Sequence, residues 1–359
     1  MGASELFYVN PEYVETVHGK LGCITCHGGE NVNVKAEAHA GLIVHPSAAD
    51  SGALCGLCHG EIADTFKTSI HHTIQGMRVG LEDFAHPGAT TEEGNPLQLA
   101  FDNNCYKCHS DCGTCHVSRP KAYTGGLHSE HMFAEVPPTE ETCYGCHGAR
   151  SAGEYMGLVG YATDLHFEAG MDCIDCHDAN NFHGSGEEEI RKHDADLPSC
   201  SDCHGNVYEE TDIEAHKVHP QDLMNCQVCH GSANNNCFNC HTVPEEDGTI
   251  AGIVGESRIM FKIGLNPQPT EERPYKYISL RHMPTAPDTF KELGLDELPN
   301  YDDYPNWKYS PMHNVQRLTM QNETCDGCHG NEFIFLRESD LRENDSKANL
   351  NLVVKDIPQ

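Results

Sequence analysis

The stretch CYKCHSDCGTCH, residues 105–116, gives four of its twelve positions to cysteine and two to histidine. It is two Cys-x-x-Cys-His units with only Ser110 and Asp111 between them. No hydrophobic core fits in that gap, and neither does a pair of independent metal knuckles. Whatever these residues hold brings its own bulk.

The same unit accounts for all 20 cysteines of the 359-residue chain. The units are Cys23, Cys26 and His27; Cys55, Cys58 and His59; Cys105, Cys108 and His109; Cys112, Cys115 and His116; and Cys143, Cys146 and His147. They continue with Cys173, Cys176 and His177; Cys200, Cys203 and His204; Cys226, Cys229 and His230; Cys237, Cys240 and His241; and Cys325, Cys328 and His329. In one helical turn, residues i and i+3 lie on one face. Two thiols so placed each reach one vinyl group of a single haem, and the next residue supplies its imidazole to the iron. Cys-x-x-Cys-His is thus the attachment unit of a c-type haem. A structural zinc site would pair two Cys-x-x-Cys knuckles and has no need of a histidine after each. A disulfide inside Cys-x-x-Cys is a redox centre and leaves the histidines unexplained. The expected cofactors are therefore ten covalently attached haems c with their iron.

Composition agrees with a core that is not peptide. Only 38% of the residues are hydrophobic and there is one Trp, against about 45–50% apolar in ordinary domains. The expected architecture is mostly irregular, with short α-helices, little β structure and a haem stack as core. No run approaches the roughly 18 apolar residues of a membrane span. A formal charge of −32 argues against nucleic acid and anionic lipid as partners. Covalent haem attachment takes place outside the cytoplasm. An extracellular or cell-surface site is therefore expected, with the periplasm second, reached by a signal peptide absent from this numbering.

Of 25 histidines, ten are in the motifs, which leaves fifteen for the opposite face of the ten irons. His166, His193 and His219 each stand seven residues ahead of a motif cysteine, a repeat of one haem per unit. So short a tether cannot easily reach round its own porphyrin, so such a histidine is expected to face a neighbouring haem. His18 has a similar place ahead of Cys23. His71 and His72 are expected on one helix, EIADTFKTSIHHTIQGM, pointing about 100° apart with one spare. His128 and His131, and His216 and His219, can each share a face. His45 and His86, each before a proline, are expected not to be ligands.

Three regions are expected. Residues 1–245 are haem-dense with nine motifs, 246–324 are a haem-poor wrapping segment supplying distal ligands, and 325–359 hold the tenth motif and a polar tail. The middle segment lacks an apolar periodic pattern, apart from a short hairpin expected around GIVGESRIMFKIGL. The tail is expected to fray or to pack on another chain.

On these ten motifs the chain resembles the multihaem c-type cytochromes of respiratory electron export. Stretches such as CYGCHGARSAGEYMGLVGYATDLHFEAGMDCIDCH, SLRHMP and PNWKYSPMHNVQRLT are similar to a sequence family of such cytochromes. That resemblance implies His18, His39, His71, His131, His166, His183, His282 and His313 as ligands; His193 and His219 join them from the repeat. Some cytochromes of this kind polymerise, which implies a head-to-tail conductive filament. The expected function is electron transfer through ten bis-histidine haems, without enzyme activity of its own. Expected partners are other redox proteins, an extracellular acceptor such as a metal oxide, and further copies of the chain. The alternative is a multihaem reductase of nitrite, hydroxylamine or a sulfur oxyanion, with one open-coordination haem. Its relatives mark that haem with lysine, and no Cys-x-x-Cys-Lys occurs here.

Overall fold

The computed structural model describes residues 8–49, 51–120, 125–158, 162–195, 197–205, 207–209, 211–233, 261–271 and 273–359. The ninth expected motif lies outside the described residues: Cys237, Cys240 and His241 are given no place by this structure. The chain divides into two compact units, each assembled from three stretches. The first comprises Met1–Met77, Cys105–Cys146 and Cys173–Leu197; the second comprises Arg78–Asn104, His147–Asp172 and Pro198–Gln359. These bounds interleave along the chain, whereas the sequence suggested consecutive regions.

The first unit is made of helical pieces of one or two turns. Among its described residues, the buried apolar side chains are Tyr13, Ala63, Phe66, Ile74 and Ala195, and no apolar cluster forms. The helix expected across residues 61–77 is broken in two places. Its pieces are Gly60–Phe66, Ile70–Thr73 and the start of Gln75–Glu82. Ser69 leaves helical geometry and its hydroxyl accepts the His72 N–H, while Ile74 takes a left-handed conformation. The buried carboxylate of Glu189 accepts the Ile70 N–H at 2.7 Å. Local polar satisfaction thus overrides helix continuity. The short turns leave few side chains to pack on one another.

The second unit has a peptide core. Strands β1 (Gly231–Ala233), β2 (Lys262–Leu265), β3 (Tyr277–His282), β4 (Trp307–Tyr309) and β5 (Asn314–Val315) form two antiparallel sheets, β2-β3-β4 and β1-β5. Leu280 of β3 stands opposite Lys262 of β2 and Tyr309 of β4. Three apolar clusters fill this unit. One joins Phe84, Leu97, Phe290 and Tyr301; a second joins Val228, Ile263, Tyr277 and Phe335; a third joins Leu280, Trp307, Leu336 and Val353.

Two expectations are corrected here. The described part of the 246–324 segment builds the core of the second unit instead of merely wrapping haem edges. Its β2 pairs with β3; residues 252–260, the rest of the expected hairpin, lie outside the described ones. The tail does not fray. Leu336 N–H bonds Ile263 O at 2.8 Å and Val354 N–H bonds Leu336 O at 2.9 Å. Phe335, Leu336, Val353 and Val354 are buried. Two short apolar runs, FIFL and NLVV, do this from within a polar context. No helix among the described residues is long and apolar enough to cross a membrane.

Candidate cofactor-binding site

Each described motif is a single helical turn. Cys23–His27, Cys112–His116 and Cys226–His230 are helices of five residues, and Thr139–His147 ends on the fifth motif. In four others, the histidine N–H bonds the carbonyl of the first cysteine. His59 does so at 2.9 Å, His177 at 2.8 Å, His204 at 2.9 Å and His329 at 2.8 Å. His109 bonds Tyr106 O at 3.0 Å, closing a tighter turn.

The described cysteines form no disulfide with one another. They are not uniformly enclosed by peptide, as anchors inside a core would be. Cys23, Cys58, Cys176, Cys200, Cys203 and Cys325 are exposed, and most of the others are half-buried. Cys58 follows the exposed Leu57 at the end of its turn, and Cys176 closes the helix Cys173–Cys176. One-turn elements are too short to fold peptide over both of their thiols. For Cys240 and His241 the expected anchoring and ligation lie outside the described residues, as they do for Cys237.

The two residues inside CYKCHSDCGTCH both have defined partners. Asp111 caps the second turn, its carboxylate accepting Thr114 N–H at 3.0 Å and the Ser47 hydroxyl at 2.6 Å. Ser110 donates its hydroxyl to His71 O at 2.7 Å. Both are buried. Three pairs of motifs also meet through sulfur: the second and fourth at Cys55 and Cys112, the third and fifth at Cys108 and Cys146, and the seventh and eighth at Cys200 and Cys226. The shared hydrogen bond lowers the pKa of Cys55, Cys108 and Cys226 and raises that of Cys112, Cys146 and Cys200.

Seven motif imidazoles stand against an imidazole from elsewhere in the chain. Ring centroids are 5.9 Å apart for His27 and His131, 6.2 Å for His59 and His18, and 5.3 Å for His109 and His72. They are 6.2 Å apart for His116 and His183, 6.2 Å for His204 and His166, 6.1 Å for His230 and His216, and 6.0 Å for His329 and His219. None of these seven pairs joins two motif histidines. His166 and His219 face motifs other than the one each precedes.

The ring nitrogens are arranged to match. Nδ1 of His27 bonds Ile43 O at 2.8 Å, that of His116 bonds Ala134 O at 2.7 Å, and that of His230 bonds Gln316 O at 3.0 Å. His329 bonds Gln359 O at 2.9 Å and His219 bonds Ala215 O at 2.8 Å. A carbonyl only accepts, so Nδ1 carries the proton and Nε2 keeps its lone pair. Gly28, at φ +66, ends the first motif turn where a Cβ would lie 2.9 Å from Gly41 O. The chain can then return to present Ile43 to His27. Burial first, and the facing imidazole second, lower the pKa of His18, His131 and His183. The neutral ring is the form that binds a metal.

The other candidates are placed as follows. His177 sets Nδ1 3.2 Å from Asn181 Oδ1, and its ring lies 6.3 Å from Phe182. Phe182 in turn lies 5.6 Å from His71. Consecutive residues His71 and His72 therefore turn to different neighbours. His147 closes its motif helix. His193 sits in a turn whose Asp194 carboxylate accepts the Ile190 and Arg191 N–H groups. His39 is exposed at the end of the helix Lys35–Ala38. His313 gives its N–H to the buried Glu154 at 2.9 Å.

His282 departs most from its expected role. Its Nε2 is 3.0 Å from Asp345 Oδ1, and its ring packs at 5.2 Å on Trp307. Its Nε2 is thus engaged, and its Nδ1 is buried without a hydrogen-bond partner among the described residues. His128 is likewise buried, with Nε2 3.0 Å from Cys115 O. His72 and His216, which the sequence reading did not select, stand in pairs. Their signal was present: each shares a one-turn helix, or the residue just beyond it, with another histidine.

The donor set can be tested against haem. Two imidazoles on opposite sides of one metal, with metal–nitrogen bonds of about 2.0–2.1 Å, hold their ring centroids on the order of 6 Å apart. All seven pairs fall at or slightly inside that spacing. Among the described residues no group of three or more His, Cys, Asp or Glu converges as a protein-only metal cage. Two imidazoles suffice where a porphyrin supplies four nitrogens. Apolar side chains also stand exposed beside the turns, Leu57 within the second motif (80% exposed) and Val17 next to His18 (81%). A covalently held apolar disc would cover such side chains, and the exposed thiols of Cys58 and Cys176 with them. The residues fit the group.

Comparison of the chain with family models, with curated proteins and with solved structures finds no match.

Proposed function

We propose that the chain is an electron conduit built on ten haems c, each iron closed by two histidines. The observation that carries this reading is the cross-pairing of seven motif imidazoles with seven non-motif ones at 5.3–6.2 Å. When bound, each haem supplies a one-electron ferric/ferrous couple. The chain's own residues do the rest. Twenty cysteines anchor the groups, and helical turns of fixed length set where each anchor falls. Backbone carbonyls on Nδ1 hold the rings in the tautomer that leaves Nε2 as ligand and increase its basicity. Ligation from both sides leaves no place for a substrate on these irons, which favours a carrier over a reductase.

The setting follows from the same chemistry. The cysteines must be reduced and the haem attached outside the cytoplasm, so the chain works at the cell surface or beyond, with the periplasm second. Docking partners are basic redox proteins or metal oxides, given the charge of −32. Exposed His39, among the exposed Val32, Val34, Leu42, Ile43 and Val44, is the segment through which copies would join head to tail. The test is direct. Mass spectrometry of the native protein should give the mass of ten added haems, and the ferric protein should show low-spin electron paramagnetic resonance (EPR) signals alone. A smaller haem count or a substantial high-spin fraction refutes the reading.

A further inference from the structure

The seven imidazole pairs differ in what their Nδ1 atoms meet. In four of the fourteen histidines, His27, His116, His230 and His219, Nδ1 bonds the neutral carbonyl of an internal residue, whereas His329 bonds the backbone oxygen of the final residue, Gln359. His166 is different. Its Nδ1 lies 3.2 Å from Oδ1 of Asp164, a carboxylate whose side chain is 1% exposed.

Asp164 is placed there by the fold. It caps the helix Leu165–Glu168, with Oδ1 also accepting the His166 N–H at 2.7 Å and the Phe167 N–H at 3.3 Å. Oδ2 accepts Val315 N–H, from β5, at 2.5 Å. Its own N–H bonds Tyr155 O at 3.0 Å. Both oxygens are thus held by backbone donors from two parts of the second unit. The carboxylate cannot turn away from the ring.

We propose that Asp164 is a positioning residue that lowers the potential of the haem held by Cys200, Cys203 and His204 below that of the haem held by Cys226, Cys229 and His230. The inference rests on the conduit reading. A carboxylate is an acceptor only, so Nδ1 donates to it and Nε2 is left toward His204. A negative acceptor draws the Nδ1 proton more strongly than a carbonyl does and makes the ring a stronger electron donor. The buried charge also favours the ferric iron over the ferrous one, with little water to screen it. Both effects have the same sign. The comparison pair, His230 and His216, lacks this charge on its Nδ1 atoms. His230 meets the Gln316 carbonyl, and Nδ1 of His216 is buried with no hydrogen-bond partner among the described residues. The one-electron step is otherwise ordinary, the electron coming from the neighbouring couple or, in the experiment, from an electrode. Electrons therefore occupy this site after the one closed by His230 and His216.

The test is Asp164→Asn in the full-length holoprotein, followed by optical spectroelectrochemistry and EPR at defined potentials. The amide keeps the size and one acceptor oxygen but loses the charge. At the parent midpoint of the component that Asp164→Asn displaces, the ratio of reduced to oxidised haem should rise about tenfold. That ratio corresponds to about 59 mV for one electron. The remaining components should stay where they are, and Asp164→Glu should return the shifted one toward its parent value. If Asp164→Asn carries ten low-spin haems and no component moves, the inference is wrong while the conduit reading stands. A parent protein without ten attached haems overturns the conduit reading, and this inference with it. Should Asp164→Asn not accumulate, the parent decides. Its ferric EPR should contain one low-spin species of reduced g anisotropy that His166→Met removes, and absence of that species overturns the proposal.

Discussion

The two units of this chain are held together by different things. The first carries six of the nine described motifs, counting the fifth by its cysteines, and has no cluster of buried apolar side chains among its described residues. The second carries the other three and packs three such clusters around a small sheet. On the proposed reading, the contrast locates where haem is structural. In the second unit, hydrophobic burial of Trp307, Leu280, Phe335 and their neighbours can offset chain entropy on its own. In the first, on the proposed reading, that role falls to the cofactors.

The sharpest way to break this contrast is to withhold the cofactor. Full-length protein made without covalent attachment should lose protection from hydrogen exchange throughout the described first unit. β3, β4 and residues 335–354 should retain measurable protection. Equal loss in both units would remove the distinction. The next effect is confined to the second unit. Leu280→Ala opens a cavity at a fully buried position and should cost about 2–5 kcal/mol of that unit's stability. The low-spin spectrum of the first unit's haems should not change, which EPR checks.

A smaller effect depends on acid. Burial alone would raise the pKa of Asp345, but hydrogen bonds from His282, the Arg342 N–H and Asn306 outweigh it and lower the value to about 2. A carboxyl depressed in the folded state contributes stability above its unfolded pKa of about 3.9 and loses it as pH falls through the folded value. The parent should therefore lose roughly 2 kcal/mol between about pH 4 and 2, and Asp345→Asn should flatten that part of the profile. Chemical denaturation at several pH values measures both. Smallest is Asp111→Ala. It removes the cap of the Cys112–His116 turn and should destabilise the first unit by about 1 kcal/mol. Thermal melts followed in the Soret band would detect it.

The turns were legible in the sequence because their cause is local. A spacing of three residues and one following histidine leave few other conformations, and even the two-residue gap of Ser110 and Asp111 reads as a cap once the turn is granted. How far each thiol stays open was not legible. Exposure at Cys58 and Cys176 depends on what the rest of the chain lays over the turn. The imidazole pairs were only partly legible. His18, His131, His166, His183 and His219 were selected from spacing or resemblance, but their partners lie far along the chain and no local rule names them. His72 and His216 each stand beside a second histidine on the same turn, and the sequence does not say which ring of the two faces a motif. The broken helix at Ser69 and Ile74 instead gives His71 and His72 separate neighbours. The apolar core of the second unit was hidden for another reason. FIFL, NLVV and the strands around Leu280 and Trp307 are short and far apart in sequence, so no window shows their periodicity.

The pairing also has a consequence for biogenesis. On the proposed reading, Cys23 and Cys26 can receive their haem as soon as they have been exported, but the facing ring of His131 arrives only after three further motifs have passed. His116 must likewise wait for His183. Anchoring and closure are therefore separate events, and newly exported chains spend an interval with irons open on one side. During that interval the nascent protein is exposed to peroxide and to small-molecule ligands that the mature one excludes.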